Sequence, residues 1–378
     1  PGKVTVRRES YEIKSFKGDE TEIRTEISVE EGAGIVVIGD TVSDRLYLAS
    51  GNNFRVFWKG KEPLRTETVY SVKCNRIGFS TVGPINGEFI HFSNFGTVRS
   101  GEIDKEAEIT VRPRQVSRRL LRDRRLRVPM PLPSVSKMGT RTTDFLEIRQ
   151  YLPGDPYRDI NWKATIRSGR DESNLLVNIY EREGNKSVWI FLDGRPHMNI
   201  GSTADDAFEH GIQAAHTLSH LYLARECRVG FYILGSGHLI TPDVGGRQDH
   251  AIDSELKTAR IYYNRESLLK AMTRCRGHTA GQSPLIVVIT VAGPHNIDEL
   301  RSCTENMKTI FGKKSQAMIV HIDAHRVSAE TDSDFMAASL LDLEETKMLR
   351  SLRKRATVCY WDPMRQDLLT ALVERDRL

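Results

Sequence analysis

The sequence has few cysteines and no long apolar run. The five cysteines are scattered and form no C-x-x-C pair, which argues against a disulfide framework or a zinc ribbon and favours a reducing compartment. No window approaches the roughly 18 uninterrupted apolar residues that span a bilayer. Internal repeats and low-complexity tracts are absent as well. Because the scattered cysteines favour a reducing compartment, we expect a cytoplasmic protein.

The sequence begins at Pro1 instead of Met. This leaves open a targeting or anchoring segment upstream, so the alternative expectation is the cytoplasmic part of a membrane-anchored protein.

At 378 residues the chain is long enough for two domains. Its 39% hydrophobic and 28% charged residues are typical of a globular protein. The net charge of +5 is unevenly placed, since residues 112–127 hold eight arginines against Asp123 and alone contribute +7. The rest of the chain carries −2, so the basic character is local.

Residues 1–112 show no helical periodicity. Short alternating or apolar runs are separated by Gly, Asn and Pro; they cover residues 21–27, 35–38, 54–58, 68–72, 88–92 and 108–111. This spacing predicts an all-β domain, an antiparallel β-sandwich.

Residues 113–140 are predicted to be an Arg/Pro-rich connector, because three prolines within five residues oppose regular structure. Its basic patch comprises Arg118, Arg119, Arg122, Arg124, Arg125 and Arg127. Clustered guanidinium groups neutralise phosphates, so nucleic acid and anionic lipid are both candidate partners. The patch lacks interleaved aromatic residues for base stacking, and a contact with an acidic protein fits equally well.

Residues 187–378 alternate between strands and helices. The strands are almost wholly apolar, and helices are predicted at 203–227, 265–274, 296–311, 334–353 and 365–374. This pattern predicts an α/β doubly wound domain with a parallel sheet covered on both faces.

The most specific stretch is the signature motif, residues 147–167, which reads E-I-R-Q-Y-L-P-G-D-P-Y-R-D-I-N-W-K-A-T-I-R. Together with the following strand V-W-I-F-L-D, it resembles the signature of domain-of-unknown-function family 58. The string R-I-G-F-S-T-V-G-P-I-N at 76–86 resembles the turn that closes that family's sandwich. The resemblance implies a β-sandwich followed by a von Willebrand factor A-like (Rossmann-like) domain. It also implies association with a MoxR-type AAA+ ATPase.

The motif lies in a segment, 141–186, that we expect to pack on the α/β domain. Pro153-Gly154 suits a type II turn that Asp155 could cap. Arg149, Arg158 and Arg167 could pair internally with Asp155 and Asp159, with Trp162 as a buried anchor. The motif is therefore either an internal clasp or a partner-binding surface, whose candidate residues are Arg149, Tyr151, Pro153, Gly154, Asp155, Arg158, Asp159, Asn161, Trp162, Lys163 and Arg167.

Asp193 follows the first strand of the α/β domain, where open sheets bind ligands. In the von Willebrand factor A fold this position begins D-x-S-x-S, a Mg²⁺ site that also uses a later Thr and Asp. Here Arg195 and His197 replace the serines, and Val291 replaces the later aspartate. A hard cation needs oxygen ligands. We therefore predict a degenerate metal site without Mg²⁺, in which Asp193 pairs with Arg195 or His197.

Three further groups of residues have features of chemical sites. His216 and His220 are four apart on a predicted helix, with His210 upstream, so they could share a face as zinc ligands do; surface histidines are the preferred interpretation. Ser236 lacks the spacing of a nucleophile elbow. Gly245-Gly246 has neither a phosphate-loop ending nor a predicted helix after it.

No nucleophile–base–orienter set is present in the sequence pattern. We therefore predict a non-enzymatic, protein-binding adaptor without a cofactor, with the MoxR-type ATPase as the implied partner. Nucleic-acid or membrane binding through residues 112–127 is one alternative, and a hydrolase with an unrecognised site is another.

Overall fold

The computed structural model of the chain describes residues 4–91, 98–113, 128–132, 135–152, 157–167, 175–183, 186–202, 206–264, 266–279, 283–326, 329 and 331–374.

The N-terminal region is all-β and consists of two facing sheets. The first has the order β1-β3-β7-β5, with bounds β1 (Val4–Arg8), β3 (Glu20–Val29), β5 (Tyr47–Gly51) and β7 (Leu64–Lys73). The second has the order β2-β10-β8-β4-β6, with β9 paired to β8; its bounds are β2 (Glu12–Phe16), β4 (Gly34–Val42), β6 (Phe54–Lys59), β8 (Gly78–His91), β9 (Val98–Asp104) and β10 (Ala107–Arg112).

Alternation along the strands builds the sandwich. From Glu22 to Ile27, exposed and buried side chains alternate along β3, as in one-sided sheets. Tyr70 and Val72 of the first sheet share a core with Ile109 and Val111 of the second. The predicted β-sandwich strands are present, but one pair, β2 with β10, is parallel.

The expected turn at residues 76–86 is wrong, because Gly78–His91 form the long strand β8. The strand changes partner in its middle. Val82 pairs with β10, whereas Ile85 pairs with β9, and the intervening Gly83-Pro84 peptide is cis. The Gly-Pro pair therefore marks a change of pairing within one strand.

A two-stranded sheet follows, formed by β11 (Val135–Gln150) and β12 (Leu176–Glu183). The strand β11 begins inside the range predicted as connector. Its start lies after Pro133, the last of the three prolines, so the backbone N–H groups are again available for pairing.

The C-terminal region is a six-stranded sheet of order β15-β14-β13-β16-β17-β18, parallel except for the edge strand β15. The bounds are β13 (Ser187–Leu192), β14 (Arg228–Ile233), β15 (Leu239–Asp243), β16 (Leu285–Thr290), β17 (Gln316–Ile322) and β18 (Thr357–Trp361). The order 3-2-1-4-5-6 is that of doubly wound sheets.

Helices cover both faces of this sheet. Ile190 and Leu192 belong to one core, whereas Trp189 and Phe191 belong to the other, because successive side chains of a strand point to opposite faces. The helices are α1 (Trp162–Arg167), which precedes the sheet, then α2 (Ala207–Ala224), α3 (Gly246–Thr258), α4 (Leu268–Cys275), α5 (Ile297–Phe311), α6 (Asp332–Leu352) and α7 (Leu368–Glu374).

Two elements of this region were not predicted, the edge strand β15 and the helix α3. Helix α3 follows Gly245 directly, which corrects the expectation that no helix follows Gly245-Gly246. The start of α2 also differs from the prediction. Asp206 is its N-cap and accepts a hydrogen bond from the Glu209 backbone N–H at 2.8 Å.

The two regions contact each other through residues just before β8. Arg76 pairs with Asp206 at 2.7 Å, and the Ile77 backbone N–H donates to Glu209 at 3.0 Å. Both acids lie at the start of α2. Within the described part of the chain, no helix is long and apolar enough to cross a membrane.

Candidate functional site

The first candidate site lies at the carboxyl end of β13, at the point where the strand order reverses. Asp193 follows β13, and Thr290 ends the neighbouring strand β16. The Asp193 backbone N–H donates to the Ile289 carbonyl oxygen at 2.9 Å. This is the crevice in which open α/β sheets bind ligands.

The Asp193 carboxylate accepts hydrogen bonds from three side chains. Arg195 contacts it with two nitrogens, Nε at 2.9 Å and Nη2 at 2.8 Å. The Thr290 hydroxyl donates at 2.8 Å, and His197 Nε2 lies 3.0 Å away. Burial raises the pKa of Asp193, but the bonds from Arg195 and His197 outweigh it and hold the pKa far below its usual range.

Arg195 extends the contact to two helices. Its Nη1 donates to Glu299 of α5 at 2.6 Å, and the other Glu299 oxygen accepts from the Leu268 backbone N–H at the start of α4. A fork-shaped guanidinium can serve two carboxylates at once. The ion pair therefore links the end of β13 to α4 and α5.

The rim of the crevice carries further polar side chains. The ring of His295 lies close to that of His197, with centroids 4.4 Å apart and the ring planes tilted by 52°. Asn296 donates to the Val291 carbonyl oxygen at 3.0 Å. The Val291 side chain is buried in the core. Asp193, Arg195 and His197 thus come together, while Val291 contributes packing.

The arrangement places a positive charge against the carboxylate that would otherwise be a metal ligand. A hard cation would have to displace the Arg195 guanidinium and would meet imidazole where oxygen ligands are needed. The site forms a rigid ionic junction, and the absence of bound Mg²⁺ stays a prediction.

Sequence reasoning missed the roles of Thr290, Asn296 and Glu299. Thr290 ends an apolar strand next to β13, a position that could have been read from strand order. Glu299 lies in the first turn of a helix, where an acidic residue has a routine role beside the helix dipole. Its pairing with Arg195 spans 104 residues and left no sequence signal.

The second candidate site is the signature motif, which is fastened to the β11–β12 hairpin. Asn161 caps α1 by accepting the Ala164 N–H at 2.9 Å, and it donates to Asn178 at 2.8 Å. Thr165 accepts the Leu176 N–H at 3.0 Å. Ile160 is the buried anchor. The expected packing of the segment on the α/β domain stays a prediction.

The expectation of Trp162 as a buried anchor is wrong, since 57% of its surface is exposed. Ile160 bridges β12 at Val177, whereas Trp162 is the first residue of α1. We call the exposed, described residues between positions 152 and 167 the signature surface; they are Leu152, Tyr157, Arg158, Trp162, Lys163, Ile166 and Arg167.

The remaining predicted residues of the motif have smaller roles. Arg149 donates to the Gln150 carbonyl oxygen at 2.7 Å. The rings of Tyr151 and Tyr157 lie 5.9 Å apart. Asp159 is 3.8 Å from Arg158, the one predicted pair found between described residues of the motif. Pro153, Gly154 and Asp155 lie outside the described residues, as do all six arginines of the basic patch.

A family comparison decides the identity of the chain. The model of the family "Protein of unknown function DUF58" matches residues 147–368, from the signature motif into α7. The chain belongs to the DUF58 family. No curated protein matches this DUF58 chain.

Two solved structures that resemble parts of the DUF58 chain do so at low TM-scores. The cupredoxin domain of amoB from Nitrosocaldus yellowstonii is 8% identical, and the match covers 29% of this chain and 86% of that one, at a TM-score of 0.19. A non-cellulosomal cohesin from Archaeoglobus fulgidus is 10% identical, with coverage of 30% and 92% and a TM-score of 0.17. Scores this low establish no shared fold.

The histidines of this DUF58 chain also differ from the prediction. His216 and His210 are buried in α2, so the expectation of surface histidines is wrong for both. Helix α3, which the sequence analysis missed, packs against α2 and covers this face.

Proposed function

We propose that this DUF58 chain is a non-catalytic adaptor that binds a protein partner through the signature surface. The observation that carries the proposal is the exposure of Tyr157, Trp162 and Ile166 on the segment between β11 and β12, which Asn161 and Thr165 fasten to β12 by hydrogen bonds. Trp162 and Ile166 are four residues apart and share one face of α1. Exposed apolar groups rimmed by charge are typical of protein contacts.

The charges around these apolar residues favour an acidic partner. Arg158, Lys163 and Arg167 are all exposed. Trp and Arg dominate the energies of protein interfaces, and their truncation commonly costs 2 kcal/mol or more. The family resemblance makes a MoxR-type AAA+ ATPase the partner to test first, in a chaperone-like assembly or maturation.

The α/β region is proposed to be a von Willebrand factor A-like domain with a degenerate metal-ion-dependent adhesion site. Its support is the position of Asp193 at the switch point, together with the Arg195 guanidinium held against it. The junction would keep the domain fixed without a metal ion.

The test is the affinity of the purified chain for its cognate MoxR-type ATPase. We expect Trp162→Ala to weaken binding about 30-fold, equivalent to about 2 kcal/mol, and Arg158→Ala to weaken it less. Biolayer interferometry measures both dissociation constants, and thermal melts show whether each variant folds like the wild type.

Trp58→Ala is the matched control. Trp58 is 69% exposed, but it lies on the sandwich strand β6, so its loss should leave binding unchanged. Wild-type affinity in the Trp162→Ala and Arg158→Ala variants would rule out the signature surface as the contact. Equal losses in Trp58→Ala and Trp162→Ala would point to nonspecific adhesion.

A further inference from the structure

Helices α2 and α3 bring histidines and aspartates together away from both sites described above. His216 and His220 lie four residues apart on α2, and Asp249 and Asp253 lie four apart on α3. Residues with this spacing share one face of a helix. The two faces meet, since His216 is 3.4 Å from Asp253 and His220 is 3.2 Å from Asp249.

Three of these side chains have the spacing of ligands around a single ion. One ligand atom each from His216, His220 and Asp253 lies within 4.8 Å of the other two. Asp253 Oδ1 is 3.4 Å from His216 Nε2 and 3.7 Å from His220 Nε2. Tetrahedral zinc, with bonds of about 2.1 Å, separates its ligand atoms by about 3.4 Å.

We propose that His216, His220 and Asp253 bind one zinc ion. Two imidazoles and a carboxylate suit zinc, whereas magnesium and calcium prefer oxygen ligands alone. Asp249 or a water molecule would complete the coordination. The side chain of His216 is 3% exposed, and those of His220 and Asp253 are 21% and 25% exposed, so the site is enclosed on one side and open to solvent on the other.

Imidazole–carboxylate hydrogen bonds account for only part of this arrangement, since His220 lies at hydrogen-bond distance from Asp249, 3.2 Å, but not from Asp253. The distances from Asp253 to the two histidines exceed the 2.7–3.2 Å that N–H···O bonds usually span. A single carboxylate oxygen placed between two imidazoles at 3.4 and 3.7 Å is better explained by a shared central ion.

The site would fasten α3 to α2. Helix α3 also contacts β8 of the sandwich, so a metal here would stabilise the helix that lies between the two regions. We therefore expect zinc to raise the melting temperature of the full chain.

The experiment begins with the full chain stripped of metal by a chelator and titrated with Zn²⁺. We expect one ion per chain, and at least 100-fold weaker binding in Asp253→Asn and in His220→Ala. His250→Ala is the matched control, because His250 is exposed on the same helix and should leave binding unchanged. Cobalt substituted for zinc should give the intense visible absorption of a tetrahedral site.

Several results would overturn the proposal. Failure of the wild-type chain to bind Zn²⁺ stoichiometrically would do so, as would equal affinity in wild type, Asp253→Asn and His220→Ala. A pale, octahedral cobalt spectrum in the wild type would exclude the proposed tetrahedral site even if a variant failed to fold. Circular dichroism of Asp253→Asn, whose side chain has the same shape as aspartate, separates lost ligation from lost structure. The result does not depend on partner binding by the signature surface.

Discussion

At the scale of single residues, the Asp193–Arg195 pair shows how a buried charge is kept. Asp193 is almost wholly buried and Arg195 largely so. Removing two charges from water is costly, and the attraction between them compensates only when the geometry and further hydrogen bonds are good. Here both conditions hold, because the contact is bidentate and Thr290 donates a further bond.

Arg195→Met is predicted to destabilise the fold by about 3–5 kcal/mol, because it leaves the Asp193 charge buried without its main partner. The double variant Asp193→Asn/Arg195→Met should be less destabilised than this single variant. Urea unfolding of the wild type, both single variants and the double variant forms a double-mutant cycle that measures the coupling.

Arg301→Met provides the comparison. Arg301 pairs with Asp298 on the surface of α5 at 2.9 Å, and exposed pairs of this kind contribute about 0–1 kcal/mol. Similar losses in Arg301→Met and Arg195→Met would show that burial does not decide the energy of the Asp193 pair.

The sequence could predict the place of Asp193 but only part of its surroundings. An acid after an apolar strand is a local pattern, and Arg195 and His197 are two and four residues away. Glu299 is held by tertiary packing, which one sequence does not display. Trp162 shows the same limit, since nothing in the motif distinguishes its exposed position from that of buried Ile160.

At the scale of elements, strongly apolar strands and long periodic helices were predicted correctly. Strand β16 was predicted with its observed bounds. Helix α3 was missed because its sequence is polar, with only Gln248, Ile252 and Leu256 buried, and because it follows a glycine pair. Strand β15 is short and contains Pro242, and proline in a strand is confined to edges. The candidate zinc site needs α3, so it was beyond sequence reasoning.

Gly78 allows β8 and α3 to approach closely because it has no side chain. Its φ is +122°, and a Cβ at this position would collide with the Lys257 carbonyl oxygen at the end of α3. Gly78→Ala is predicted to destabilise the chain by roughly 1–3 kcal/mol, from backbone strain and from separation of strand and helix. Chemical denaturation measures the loss.

Gly60→Ala is the control for this change. A Cβ added at Gly60 would meet no atom within 4 Å, and its φ is not in the left-handed range. This variant should keep wild-type stability. A Gly78→Ala chain as stable as Gly60→Ala would mean that β8 and α3 are not closely packed.

At the scale of the whole molecule, ionic groups concentrate at the carboxyl edge of the parallel sheet. Beside the Asp193 site, Arg326 contacts Asp342 at 2.6 Å and Asp323 at 3.3 Å. Glu345 of α6 lies 2.8 Å from His325 and 3.2 Å from His321. This edge is therefore held by charge as well as by apolar packing, and its stability should depend on pH.

Acid is predicted to weaken the fold through Glu345. Burial raises the pKa of Glu345, but hydrogen bonds with His321 and His325 outweigh it and hold the pKa at about 2, below the ordinary 4.5. A carboxyl group with a lowered pKa contributes stability above its unfolded pKa and loses it as the pH falls toward the folded value. The contribution of the carboxylate therefore declines between about pH 4.5 and pH 2. The pKa of His325 is raised chiefly by its hydrogen bond with Glu345, so the contribution of the imidazole is lost as the pH rises through that raised value. Asp193 acts in the same direction, whereas Asp323, whose pKa is raised by burial, opposes it.

Urea unfolding at pH 7, 5 and 3 should show Glu345→Gln less stable than wild type at pH 7 and 5, with a smaller difference at pH 3. Glu344→Gln, which changes an exposed neighbour, should follow the wild type at every pH. A difference between wild type and Glu345→Gln that is the same at all three pH values would contradict the lowered pKa.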